Sequence, residues 1–163
     1  MFTISQIEPD EIKAAKDVLS LTWRDTYEKY FSEEASEKIT KKWHNPKFLT
    51  SLLKSSNVYF AKALDKKDNI IGVIIVRKNE GNALFLYSLY VHPHYQGKGI
   101  GSQLLNSALD HFSAGKKLRV ECQKQNTKAC GFYLKQGFKI VGEKDEEVEG
   151  VKMKTVVFEK KLK

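Results

Sequence analysis

From Asn57 the apolar positions change their spacing: NVYFAKAL, NIIGVIIVR and NALFLYSLYV are three β-rich runs, separated by the turn-forming stretches DKKDN and KNEGN. That pattern predicts an antiparallel meander. Before it the period is helical. After a short alternating FTISQI, the segment Glu8-Pro9-Asp10 opens a run in which Ile12, Ala15, Val18, Leu19, Trp23 and Tyr27 recur at helical spacing. SEEASEKITKKW, with a cap signal at Ser32, and the proline-first PKFLTSLLK predict two further helices. Beyond the meander come an amphipathic helix over about 99–113, the strand KLRVEC, and a helix from about Thr127 to Gln136 that Gly137 ends. Two last strands, FKIVGEK and GVKMKTVVFEKKL, are joined across the acidic DEEVEG, which reads as their hairpin loop. The expected fold is α/β: a mixed, mostly antiparallel sheet of about seven strands with helices on both faces, because a crossover between parallel strands covers a face. Residues 1–163 read as one domain, with no repeat or linker.

A chain of 163 residues can bury enough surface for a single real core. Its longest apolar runs, IIGVIIV and ALFLYSLYV, are far short of the roughly 20 residues that span a bilayer, so no membrane segment is expected. The start, MFTISQIEPDEIKAAKD, lacks the basic and apolar regions of a signal peptide, and a cytoplasmic protein is expected. Cys122 and Cys130 have no CxxC spacing and no nearby His, and read as two reduced thiols in or near the core. The net charge of +8 favours an anionic partner. It does not favour a base reader of nucleic acid: of the 28 basic residues only Arg24, Arg77 and Arg119 are arginine, the residue that grips base edges bidentately.

The chemistry begins at YQGKGIGSQLL. A helix start carries unpaired N–H groups at the positive end of the macrodipole. Gly97, Gly99 and Gly101 remove side chains from every second position, so an anion can reach successive amides. The loop is not GxxxxGK[ST], and it fits GxGxxG only loosely. It fits Q-x-x-G-x-G, from Gln96 to Gly101, preceded by LYVHP. Downstream stands N-x-x-A-x-x-F-Y-x-x-x-G-F, as Asn126, Ala129, Phe132, Tyr133, Gly137 and Phe138. In these two motifs, in this order, the chain resembles the GCN5-related N-acetyltransferase (GNAT) superfamily over most of its length. The resemblance implies acetyl-coenzyme A as co-substrate and no metal. It assigns the pyrophosphate to Gln96, Gly97, Lys98, Gly99, Ile100, Gly101 and Ser102, and the pantetheine arm to the main chain of Leu89, Tyr90 and Val91, with Asn126 and Tyr133 beside that arm.

Acetyl transfer to an amine requires three things of the protein: a base for the ammonium proton, a donor for the carbonyl oxygen, and a proton for the departing sulfur. An N–H near Val91 is the expected donor and the Tyr133 phenol the family-matched acid. The strand before the loop offers Phe85, Tyr87 and Ser88, and no carboxylate. In LRVECQKQN, alternation puts Arg119 and Glu121 opposite Leu118, Val120 and Cys122. Glu121 has the spacing of the base glutamate in ribosomal-protein N-terminal alanine acetyltransferases, and is the expected base. His92 and His94 flank Pro93 with no third ligand and read as loop residues, while His111 ends a helix.

For the acceptor, LTWRDTYEKYFSEE is similar to bacterial polyamine acetyltransferases through Trp23, Thr26, Tyr27, Glu33 and Glu34. Trp23, Tyr27, Glu33 and Glu34 are thus the expected substrate residues, carboxylates and aromatic faces being what a polyamine needs. A protein N-terminus or lysine is the alternative acceptor. A silent acetyl-coenzyme A sensor and a basic nucleic-acid-binding module are the readings from other classes. The expected assembly is a monomer or a homodimer.

Overall fold

The computed structural model describes residues 1–163. In chain order the elements are β1 (Thr3–Gln6), α1 (Ile12–Tyr27), α2 (Glu33–Trp43), α3 (Pro46–Leu53), β2 (Val58–Leu64), β3 (Ile70–Lys78) and β4 (Ala83–Val91), then α4 (Ile100–His111), β5 (Lys117–Gln123), α5 (Thr127–Lys135), β6 (Lys139–Val148) and β7 (Val151–Lys161). The strands form one sheet in the order β1-β2-β3-β4-β5-β7-β6. Only β4 and β5 run parallel, and the other neighbours are antiparallel. This is the mixed architecture that the strand and helix periods predict. No helix is long and apolar enough to cross a membrane.

The centre of the sheet is buried on both faces. On one, Ile100, Leu104, Leu105 and Ala108 of α4 and Tyr133 of α5 pack on Ala61, Ile74, Leu86 and Val120. On the other, Ala15, Leu19, Leu49 and Leu52 of α1 and α3 pack on Phe60, Val73 and Ile75. Gly72 fixes how closely α4 approaches. A Cβ there would stand 3.0 Å from Leu104 Cδ1 and 3.3 Å from Ile100 Cγ2, so the first turn of α4 lies directly on β3.

The final hairpin differs from its sequence reading. β6 runs on through Asp145-Glu146-Glu147-Val148, and the turn is only Glu149-Gly150, at φ 47° and 79°. Positive φ at both central residues gives the two-residue turn whose twist suits a hairpin. The acidic residues stay in the strand because cations face them: Glu147 is opposite Lys152 and Asp145 opposite Lys154, whose Nζ is 3.1 Å from Asp145 Oδ1.

Three interactions seat α1. Glu8 and Glu11 form a reciprocal capping box at its entry. Glu11 also pairs with Lys62, a buried lysine of β2. Near the middle of α1, His44, just after α2 and only 4% exposed, lies with Nδ1 2.9 Å from Ser20 Oγ and meets the Tyr90 ring edge-on. Burial, and then the charge of Lys16, hold the His44 pKa down to about 4.

A lowered histidine pKa means that the unfolded chain takes up a proton near pH 6.5 while the folded chain does so only near pH 4. Stability is therefore present above about pH 6.5 and is lost as the pH falls through that window, by up to about 3 kcal/mol. Thermal melts between pH 7 and pH 4 should show a steeper fall for the wild type than for His44→Asn; parallel slopes would contradict the assignment.

Candidate active site

The site is made by a parting of strands. β4 and β5 pair from Ala83 opposite Lys117 to Leu86 opposite Val120, and no further. At that point β4 carries a bulge, with Tyr87 unpaired between the Ile75–Ser88 and Val76–Leu86 partners. A bulge bends a strand and sharpens its twist. Past it β4 stays with β3 as far as Val91 opposite Gly72, while β5 stays with β7 as far as Gln123 opposite Thr155. The two central strands thereby open a gap.

The hydrogen-bond alternation decides which main-chain groups face that gap. The His92 N–H donates to the Ile71 carbonyl at 2.8 Å. In an antiparallel pair the bonds alternate, so Tyr90 also turns its main chain to β3, while Leu89 and Val91 turn theirs away. The Val91 carbonyl is taken up at once: Gln96 Nε2 donates to it at 2.9 Å, and Lys128 Nζ donates to Gln96 Oε1 at 2.6 Å. Gln96 thus ties the end of β4 to α5. The N–H groups of Leu89 and Val91 are left for a ligand.

Gly97 and Gly99 have φ of 77° and 82°, and a Cβ at either would meet nothing within 4 Å. Conformation, not crowding, calls for glycine there. Gly99 caps α4, leaving the Ile100, Gly101 and Ser102 amides without helical partners; no acidic residue occupies that first turn. Gly101 lies against the Phe132 ring of α5, which a Cβ there would meet at 3.4 Å, an ordinary van der Waals contact. Ser102 is held by Gln136 Nε2 at 2.8 Å. Lys98 extends its ammonium over the Tyr95 ring and does not line the cleft, whereas Lys128 and Lys135 do.

Asn126 caps α5, its Oδ1 accepting from the Ala129 N–H at 3.1 Å. This orients Nδ2 toward the Tyr27 hydroxyl of α1, 3.2 Å away. Tyr133, about two turns on, is 6% exposed, packed among Phe132, Phe138 and Phe158, and lines the cleft. Burial, with Cys122, Tyr90 and Tyr27 nearby, pushes its pKa well above the usual tyrosine range. Burial also raises Tyr27, and takes Tyr90 to about 12. All three phenols keep their protons at neutral pH. Cys122 and Cys130 are free thiols with sulfurs 3.9 Å apart, and burial pushes the Cys122 thiol up.

The cleft is about 1040 Å³, room for more than one small ligand, and it continues past the phenols to a second wall. There Trp23 and Tyr27 pack with Phe31 and Met153, and Tyr30, Trp43, Asp25, His44, Lys29 and Lys42 are among the other lining residues. Glu33 and Glu34 are not brought into it: Glu33 pairs with Arg24 at 2.9 Å and Glu34 with Lys38 at 3.3 Å on the outer side of α2. Helical phase explains this, because α2 turns Ser36, Ile39 and Thr40 inward. Glu121 does line the cleft, with Oε1 2.7 Å from Lys144 Nζ. The sequence reading missed His44, Lys128, Gln136 and Lys144. Lys128 and Gln136 lie on or just beyond the helix that carries Tyr133, a signal that was open to use; Lys144 needed the strand register, and His44 carries no signal.

Comparison with known proteins agrees with this geometry. The family model described as the acetyltransferase (GNAT) family matches residues 15–138. A spermidine N(1)-acetyltransferase of Thermoplasma acidophilum is 30% identical over 145 residues, covering 84% of this chain and 88% of that protein. Among solved structures, the PaiA N-acetyltransferase of Thermoplasma acidophilum in complex with coenzyme A superposes with a TM-score of 0.84 at 25% identity, covering 99% of each chain. The ribosomal-protein-S18-alanine N-acetyltransferase of Escherichia coli shares the fold, with a TM-score of 0.74 at 17% identity over 98% of this chain and 92% of that one. With its opened central strands and glycine-led helix, this chain belongs to the acetyltransferase (GNAT) family.

Proposed function

We propose that the protein moves an acetyl group from acetyl-coenzyme A to a primary amine by direct attack within a ternary complex, and that the acceptor is a polyamine or a similar small cationic amine. The observation that carries this reading is the opened β4–β5 gap, which has a glycine-led helix start at one end and an aromatic wall at the other. The residues present fit coenzyme A. Two left-handed glycines with open space beside them, the free amides of Ile100, Gly101 and Ser102, and Lys128 and Lys135 suit a diphosphate. The outward N–H groups of Leu89 and Val91 suit an amide-bearing arm. Bound there, acetyl-coenzyme A supplies the activated acyl group as a thioester.

The chain's own groups divide the remaining work. Glu121 accepts the proton of the incoming ammonium, directly or through water, leaving a nucleophilic amine. The Val91 N–H donates to the carbonyl oxygen as negative charge grows on it. Tyr133, buried and protonated across the neutral range, donates to the departing sulfur. Trp23 and Tyr27, buried, back the wall on which the exposed Tyr30 and Trp43 offer faces to a cationic substrate, and Asp25 lines the same wall. The similarity to a spermidine acetyltransferase along most of both chains supports a polyamine over a peptide.

Thiol release from acetyl-coenzyme A against spermidine, 1,4-diaminobutane, butylamine and an alanine-ended peptide tests the reading. Spermidine should give the highest kcat/KM; a protein that gains melting temperature with acetyl-coenzyme A yet releases no thiol with any amine would be a sensor instead. Tyr133→Phe should lower kcat by about a hundredfold, the size of a lost general acid, with coenzyme A affinity within about twofold of wild type. Unchanged turnover would return Tyr133 to a packing role. Gly99→Val forces a β-branched residue into φ 82°. It should weaken coenzyme A binding in calorimetry by roughly tenfold or more; equal affinity would remove the glycine loop from the site.

A further inference from the structure

Lys144 stands on β6 opposite Thr155 of β7, and Thr155 is opposite Gln123 of β5. Its side chain reaches back across β7 toward the cleft. There Nζ lies 2.7 Å from Glu121 Oε1 and 3.2 Å from Glu146 Oε1. Glu146 is itself fixed by Thr155 Oγ1, 2.6 Å from its other oxygen. A carboxylate of the cleft wall therefore already accepts a primary ammonium, and that ammonium belongs to the protein.

A lysine ammonium has the charge and the three donors of any alkylammonium, so whatever Glu121 offers to Lys144 it offers to an acceptor amine. The hydrogen bond to Glu121 raises the Lys144 pKa, so Lys144 keeps its charge at neutral pH. It is also displaceable. The Lys144 side chain is 45% exposed and that of Glu121 27%, and exposed ion pairs are weak. No other cation of the protein competes for Glu121: Arg119, two residues before it, is held by Glu159 at 2.8 Å.

We propose that Lys144 is a specificity-determining residue, a tethered competitor that occupies the acceptor's ammonium position on Glu121. This rests on the reading of Glu121 as proton acceptor. An arriving ammonium displaces that of Lys144 and passes one proton to the Glu121 carboxylate, which becomes a carboxylic acid as the amine becomes neutral. Lys144 keeps its own proton and remains with Glu146. A monoamine meets the tethered ammonium on equal terms. An acceptor with several ammonium groups gains attraction from Asp25 of the same cleft as well, so the competition favours polyamines.

Steady-state kinetics of Lys144→Met and Lys144→Arg, with butylamine and with spermidine, test this. Lys144→Met keeps the stem and removes the competitor. Its KM for butylamine should fall about two- to fivefold, the factor that about 1 kcal/mol of exposed ion pairing corresponds to. Its KM for spermidine should fall less, and Lys144→Arg should keep the wild-type values. A KM for butylamine that is unchanged or raised in Lys144→Met overturns the proposal while wild-type turnover leaves acetyl transfer standing. A wild type that releases no thiol with any amine overturns acetyl transfer itself, and this proposal with it.

Discussion

One strand cannot follow two diverging neighbours, and the active site exists because β4 follows β3. The bulge at Tyr87 turns β4 after its last pairing with β5, and Gly72 to Ile75 of β3 hold it on that course. In a sheet interior, main-chain N–H groups are committed to a neighbour. Here those of Leu89 and Val91 are not, in the middle of the domain and beside two packed helices. Gly72 seats α4 on β3, so the glycine loop opens onto the same gap. The loop, the freed amides and Tyr133 are thus consequences of one departure from pairing.

Charge is distributed along the cleft in the order the chemistry needs. Lys128 and Lys135 stand at the glycine end; at the other, the carboxylates Asp25 and Glu121 share the lining with Lys29 and Lys42, and between the ends lie three phenols that burial keeps neutral. A neutral middle lined by buried phenols strengthens hydrogen bonds made to a developing charge there. The +8 excess suits a polyanionic co-substrate. Most of it is spread over surface lysines, so local placement rather than total charge distinguishes the two ends.

Much of this was legible in the chain. Period-two runs located the meander, and the proline-first and serine-capped segments located α2 and α3, because those signals act within a few residues. The glycine loop and the Asn126–Phe138 segment were legible for the same reason. Long-range pairing was not. Nothing local says that β7 lies between β5 and β6, and only that order brings Lys144 to Glu121. The hairpin was misplaced because DEEVEG has loop composition, while Lys152 and Lys154 across the ladder hold its acids in strand. Glu33 and Glu34 were expected at the substrate from the resemblance of LTWRDTYEKYFSEE to polyamine acetyltransferases, and helical phase turns them outward.

Amide hydrogen exchange with and without coenzyme A reaches the central claim most directly. The account predicts that coenzyme A slows exchange at Leu89 and Val91 and across residues 97–102. Tyr90, already bonded to β3, should change little. Exchange at Leu89 and Val91 that is the same with saturating coenzyme A, or protection confined to other surfaces, would contradict it.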